Sequence, residues 1–370
     1  MWDVVAQLPH YLLSFLFVLT VVVFFHELGH FLVARWAGVK VEVFSVGFGP
    51  ELFGFTDRRG TRWKVSALPL GGYVKMFGEG EAGRDEKGEP QPLTPEQRKV
   101  SFFHKPLARR AAIVAAGPIA NYVLAVIIFA VLFATYGQQF SSNEVGLVVE
   151  NSAAAEAGIE PGDRIVEMNG NRITRFEQIV ASIELGLDEP LHLVIERDGR
   201  RIPLDARPHV IEITDNFGNT QRVGRLGIQS TGAGELVRYD PIHAVSAAVT
   251  HSYELTTMIL KAIGQIISGT RSSEELGGVI RIAKMSGDVA TNGLVALLGF
   301  TALMSVNLGL LNLFPVPMLD GGHLAFYAIE GLRGRRLSQR AEEWGLRIGL
   351  AMVLTLFIFA TWNDLVTLPW

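Results

Sequence analysis

Four stretches of the chain are apolar for long enough to cross a hydrocarbon core, which takes roughly 20 residues of helix. They cover residues 11–34, 111–136, 294–314 and the shorter 348–362. Between the first two, residues 39–48 and 62–76 alternate apolar with polar positions, carry Val, Phe and Trp, and are interrupted by Gly47, Gly49, Gly71 and Gly72. A period of two with such punctuation predicts short strands. Residues 80–98, within EGEAGRDEKGEPQPLTPEQR, are charged and Pro-containing and predict a mobile surface loop.

Between the second and third spans the pattern changes. VGLVVE, RIVEMNG with its Asn-Gly turn, and LHLVIERDG read as strands; NSAAAEAGIEPGD holds a short helix and a Pro-Gly-Asp turn, and a further helix is expected over 175–185. This is a compact module of roughly 65 to 90 residues. It resembles a bacterial PDZ domain in the permuted arrangement. Residues 241–285 have mixed apolar periodicity and predict amphipathic helices on a membrane surface. The expected organisation is 1–136 with two membrane helices and a β-loop, 137–210 as the PDZ module, 211–293 as a post-PDZ segment, and 294–370 with the last two membrane helices.

Composition agrees with this segregation. Mean hydropathy is +0.28, yet 19% of residues are charged. The formal net charge of -4 and the lack of a basic stripe give a nucleic-acid partner no support. Cysteine is absent, which removes disulfides, thiolate ligands and cysteine nucleophiles. Any metal must be held by His, Asp or Glu. The first span has no positive charge before it and is too long for a secretory leader. Lys and Arg collect after the first span (Arg35, Lys40), before the second (Lys105, Arg109, Arg110) and between the last two (Arg333, Arg335, Arg336, Arg340, Arg347). Those loops are expected on the cytoplasmic side, with both termini and the module outside.

The first span ends in HELGHFLVARW. On a helix, His26 and His30 lie one turn apart on one face and can reach a single zinc, with Glu27 beside them as general base for a water. Ionisable residues inside a span are costly and are functional candidates. At about 1.5 Å per residue, the histidines lie roughly 7 to 14 Å from Arg35, inside the bilayer near the cytoplasmic face. A catalytic zinc needs a third protein ligand. Asp320, in NLFPVPMLDGGH directly after the third span, is the candidate, since Pro315, Pro317, Gly321 and Gly322 break the helix there. The plain alternative is an Asp-Gly turn.

Asn312 is placed to donate to a developing oxyanion or to substrate backbone, or else to bond between helices. His323 reads as structural or as a support to the ligands, because a fourth ligand would close the water position. In the second span Gly117, Pro118 and Asn121 permit close helix packing, and Asn121 is within the set that can bond across to the metal helix.

HELGH, GFGP, LPLGGYVKM, KPLARRAAIVAAGPIAN, the module and SVNLGLLNLFPVPMLDGGH follow one another along nearly the whole chain. In this order they resemble the site-2 protease family of intramembrane metalloproteases, of the bacterial regulator-of-sigma-E protease type. The resemblance implies a multi-pass α-helical membrane protein with about four spans, a membrane-associated β-hairpin region and an inserted α+β PDZ domain, in the bacterial inner membrane. It implies His26, His30 and Asp320 as zinc ligands, Glu27 as the catalytic carboxylate and Asn312 as a substrate contact. It also implies that Leu70, Gly71, Gly72 and Tyr73 pair with extended substrate. Implied partners are the lipid bilayer and membrane-protein substrates such as a truncated anti-sigma factor, and remnant signal peptides. Two departures stand out: one module occurs where longer members have two, and ELGGVIRIA stands where a Gly-Pro pair is expected.

Two rival classes are a PDZ adaptor, which would not need HELGH and a distant LDG at matched depth, and a metal transporter, which would show paired broken helices in repeated halves.

Overall fold

The computed structural model describes residues 2–78, 93–214, 220–232, 234–270, 272–273 and 276–367. Most of the mobile loop expected over 80–98 lies outside them. In chain order the first half contains α1 (Trp2–Trp36), β1 (Val41–Thr56), β2 (Arg62–Met76), α2 (Pro95–Val100), α3 (Leu107–Thr135), β3 (Gln138–Ser141), β4 (Val145–Val148), α4 (Ala153–Glu156), β5 (Arg164–Met168), β6 (Asn171–Arg172) and α5 (Phe176–Gly186). There follow β7 (Leu191–Arg197), β8 (Arg200–Ala206), β9 (His209–Thr214), β10 (Thr220–Arg225), β11 (Ile228–Ser230), β12 (Gly234–Val237), α6 (Pro241–Ser268), α7 (Val279–Thr291), α8 (Leu294–Asn312), α9 (Asp320–Arg333) and α10 (Gln339–Thr367). The chain forms two compact units, one from Met1–Phe129 with Gly278–Thr361, the other from Ala130–Gly277 with Trp362–Trp370.

Gln7–Trp36, Leu107–Thr135, Leu294–Asn312 and Arg340–Val366 are long and apolar enough to cross a membrane. The fourth is longer than the expected 348–362, because Arg340 to Arg347 continue the same helix ahead of the apolar run.

The β-loop differs from two short strands. β1 continues to Thr56 through Gly47 and Gly49, both at positive φ (90° and 86°), so the chain bends there instead of stopping. Each long strand doubles back, and Phe44 pairs with Val74 on one side and Trp63 on the other, while Phe55 also pairs with Trp63. The order across the sheet is therefore 72–76, 41–46, 62–66, 51–56, which leaves 72–76 as one edge. Phe44, 1% exposed, anchors the sheet to α1, with its ring 5.7 Å from Phe24, 5.5 Å from Phe31 and 4.3 Å from Trp63. Such aromatic pairs contribute about 0.5–1.5 kcal/mol each beyond burial. Asp57 ties the turn to the end of α1, accepting from Arg35 Nη1 (2.9 Å), Trp63 Nε1 (3.3 Å) and the amides of Arg59 and Thr61.

The segment expected as surface helices over 241–285 divides in two. α6 is the long amphipathic helix of the second unit, with Ile242, Val245, Val249 and Tyr253 exposed. α7 instead packs within the first unit against α1 and α8. Its Ser286 is fully buried, and a Cβ on Gly287 would fall 1.8 Å from the Tyr11 ring. Small residues let α7 approach as a packed helix, which its amphipathic period alone did not reveal.

The second unit contains an antiparallel sheet of order β6-β5-β7-β8, with α5 closing a core of Ile165, Ile179, Ile183, Leu191, Leu193 and Ile195. Two further pairings, β4 with β11 and β3 with β12, carry the unit past residue 210, the expected end of the module. The β9–β10 hairpin intervenes in sequence and hid this closure.

Asp163 is the fastener between the β4–β5 connection and β7. Its side chain is 1% exposed and accepts from Arg197 Nε (2.7 Å), Arg197 Nη2 (2.8 Å) and the Glu160 amide (2.8 Å). Burial acts to raise its pKa, but the bidentate guanidinium and the amide outweigh that and hold the carboxyl below its ordinary range. Its stabilisation is full above the unfolded value of about 3.9 and is lost as pH falls through the lower folded value. Asp163→Asn is expected to cost about 3 kcal/mol, as breaking a buried pair does. Limited proteolysis of the intact protein in detergent should show new cuts within 145–206 in this variant at neutral pH. The variant should also show a smaller rise in cutting on acidification than the parent.

Candidate metal centre

The HELGH turn of α1 faces α3 at a crossing that only glycine allows. A Cβ on Gly29 would fall 2.2 Å from the Ala116 carbonyl oxygen, and one on Gly117 would fall 2.3 Å from His30 Nε2 and 2.9 Å from His26 Cε1. Both histidines are buried in this contact. The Nδ1 of His30 donates to the Ile113 carbonyl at 2.9 Å, and the Nδ1 of His26 lies 3.2 Å from the Asn121 amide. Each Nε2 is thereby turned the same way.

Asp320 reaches the same point from the far end of the sequence. α8 ends at Asn312, and Pro315 and Pro317 prevent its continuation. The backbone reverses through Met318, whose φ of 89° is unusual for a side-chain-bearing residue. α9 then folds back tightly: a Cβ on Gly321 would fall 2.2 Å from the Leu313 carbonyl oxygen, and one on Gly322 would fall 2.3 Å from that of Val316. Asp320 stands at the first turn of α9, where the free N–H groups favour a carboxylate.

The three side chains converge. Nε2 to Nε2 is 3.2 Å, and Asp320 Oδ2 lies 3.1 Å from His26 Nε2 and 3.5 Å from His30 Nε2. Asp320 Oδ2 is buried yet makes no hydrogen bond, so those two approaches lack hydrogen-bond geometry. Tetrahedral ligands at about 2.0–2.1 Å from a zinc are themselves about 3.3 Å apart, and all three separations match that spacing. Two imidazoles and one carboxylate are a donor set that zinc takes, and among the described residues this group has its ligand atoms close enough together to hold one ion.

The cluster opens on a cavity of about 550 Å³ that Glu27, Asn312, Gly72 and Tyr73 also line. Glu27 faces the edge strand: a Cβ on Gly72 would fall 3.1 Å from Glu27 Cγ. Of the predicted pairing residues, Gly72 and Tyr73 reach the cavity. Gly71, at φ 125°, faces the Phe48 ring, and residues 69–71 have no partner in the register. His323 lines the cavity but stands outside the ligand cluster.

Sequence reasoning passed over Arg110, which is 3% exposed, pairs with Glu330 at 2.6 Å, lies over the Tyr327 ring and borders the cavity. Nothing in its sequence position separates it from the basic residues that mark orientation. The direct hydrogen bond from Asn121 to a metal-helix histidine was open in the sequence as an alternative to packing.

The chain is similar to known proteins over nearly its whole length. The model of peptidase family M50 matches residues 14–356. A candidate zinc metalloprotease of Agrobacterium fabrum is 46% identical over 98% of this chain and 97% of its own length. A candidate zinc metalloprotease of Rhizobium meliloti is 46% identical over 95% of each. Metalloprotease MmpA of Caulobacter vibrioides is 37% identical over 96% of this chain and 95% of its own. A family match and relatives of this extent, joined to a two-histidine, one-carboxylate cluster beside a glutamate, establish that the chain belongs to peptidase family M50, the site-2 protease family, and is a zinc metalloendopeptidase.

Proposed function

We propose that the enzyme cleaves transmembrane segments of other membrane proteins, with its zinc held by His26, His30 and Asp320. The observation that carries this reading is the convergence of three ligand atoms, 3.1–3.5 Å apart, from two apolar helices and a broken loop, in one cavity with Glu27. Bound zinc supplies a Lewis acid that polarises the scissile carbonyl and makes water a stronger acid. Glu27 takes the proton of the attacking water and later delivers it to the leaving amine. Asn312, at the end of α8, donates to the oxygen on which charge develops.

A substrate helix hides its amides in internal hydrogen bonds and must unwind before it can be cut. The edge at 72–76, which has no outer strand partner among the described residues, lies beside Glu27, and strand addition there holds the segment extended. Leu52, Phe53 and Phe55, all more than half exposed on the opposite edge, suit a sheet seated against lipid. The similarity to regulator-of-sigma-E proteases suggests truncated anti-sigma factors and remnant signal peptides as substrates, in a bacterial inner membrane with both termini and the second unit on the periplasmic side.

The second unit reads as a single PDZ-type module, its four-stranded sheet capped by α5. Every residue assigned to chemistry lies outside it, so it governs access. Exclusion of substrates with bulky outer domains is favoured over capture of a peptide carboxylate, because one groove offers modest affinity whereas exclusion needs only bulk.

Glu27→Gln is expected to abolish cleavage of a membrane substrate while zinc content by metal analysis stays at the parent level. Substantial residual activity would refute the assigned base. Asp320→Ala should instead lose zinc, and an unchanged stoichiometry would move the third ligand elsewhere.

Tags at either terminus should be reachable from the periplasm and one near residue 83 only from the cytoplasm. A protease-protection map with residue 83 outside would invert the orientation.

β3 and β12 place Gln138 beside Val237, so residues 138–237 can be replaced by a short Gly/Ser linker. Under exclusion the shortened enzyme cuts substrates with intact outer domains and cuts short ones as before; under capture it cuts short ones more slowly. Unchanged cleavage of both classes would defeat both versions.

A further inference from the structure

Asn121 touches the metal cluster from behind, and its contact has a chemical requirement. A neutral imidazole that ligates through Nε2 carries its proton on Nδ1. In a buried site that N–H needs an acceptor. His30 has one in the Ile113 carbonyl at 2.9 Å. For His26 the group in reach is the Asn121 side chain, fully buried, with Nδ2 3.2 Å from Nδ1 and Oδ1 without a hydrogen-bond partner. In that orientation the amide NH2 confronts the ring nitrogen that must itself donate. The two ends of a carboxamide are nearly the same size, and a half-turn about the last side-chain torsion exchanges them without altering the packing. The half-turn gives Oδ1 the Nδ1–H of His26 and moves the NH2 into the space that Oδ1 leaves.

We infer that Asn121 is a positioning residue for zinc: its Oδ1 accepts the Nδ1 proton of His26 and so fixes the tautomer and ring direction in which Nε2 is a ligand. The inference rests on the proposed ligand set. It gives one face of α3 a common purpose, since Ile113, Gly117 and Asn121 recur every four residues and share that face. Ile113 orients His30, Gly117 leaves room for both rings, and Asn121 orients His26.

A packing role for Asn121 is already filled by its backbone. The carbonyl of Asn121 accepts from Ser305 Oγ of α8 at 2.8 Å, and a Cβ on Gly309 would fall 3.2 Å from Asn121 Cβ. These contacts hold α3 against α8 and fix the base of the side chain, whose amide is left to His26. Groups that orient metal-bound histidines are commonly worth about 10–100-fold in metal affinity.

The test is zinc affinity, measured by competition with a chromophoric chelator on the full chain in detergent micelles. Asn121→Leu keeps the volume and removes the acceptor; it is expected to bind zinc about 10–100-fold more weakly, with helical circular dichroism unchanged. Asn121→Asp can accept from Nδ1–H but cannot donate, and it is expected to bind zinc at least as tightly as the parent. Zinc bound as tightly by Asn121→Leu as by the parent overturns the inference. So does loss of zinc by a folded Asn121→Asp protein, because it would show that the amide donates; this second variant decides the matter if the leucine variant does not fold. His26→Ala, run alongside, tests the underlying ligand set: full zinc binding there would refute that reading, whereas its loss together with intact binding in Asn121→Leu would refute only the role of Asn121.

Discussion

A methyl group on Gly29 of α1 would strike Ala116 and Ala120 of α3, and one on Gly117 of α3 would strike the rings of His26 and His30. Helices normally pack with axes 8–10 Å apart, and overfilling a well-packed contact costs about 1–3 kcal/mol or more. Two imidazoles occupy this crossing, where apolar side chains would otherwise sit. The crossing decides how far the rings can turn, which carbonyl His30 can reach and where the ligand nitrogens point. The geometry of the cluster in this chain therefore depends on an absence of side chains at two positions as much as on the three residues that present donor atoms.

A second constraint follows from the first. Two candidate ligands on one helix face define a point beside that helix, and a third donor has to be brought to it by another segment. The run from Leu313 to Gly322 supplies it by breaking at two prolines, reversing at Met318 and packing two glycines against its own carbonyls. Irregular backbone at such depth survives where protein or a watery cavity satisfies it. The cavity lined by Glu27 also reaches Met318 and Asp320 of this break.

The β-loop answers a different need. Under the proposed function a substrate helix gives up internal hydrogen bonds, and a strand edge beside the site can offer backbone partners in their place. Among the described residues the folded-back sheet leaves 72–76 without a strand partner along its outer side, and Gly72 brings that edge within contact of Glu27. Phe44 and its aromatic neighbours keep the edge in place, so pairing with an incoming strand need not be accompanied by ordering of the enzyme's own strand.

Much of this was legible in the sequence. Long apolar runs marked the four helices because a bilayer leaves few alternatives, and the four-residue spacing of His26 and His30 specified one helical face before any fold was known. Asp320 was legible because prolines and glycines at the end of a span announce broken backbone. What the sequence left undecided depended on contacts between distant segments. Periodicity cannot tell a surface helix from one notched into a bundle, so α7 became a packed helix only where Gly287 met Tyr11. Strand pairing across an intervening hairpin joined β4 to β11, and doubling back made 72–76 an edge. Asn121 read as packing because a small polar residue in a span has the same pattern in either role. Only the tertiary structure placed its amide on His26, since a hydrogen bond between residues 95 apart is set by how two helices cross and not by the local order of either.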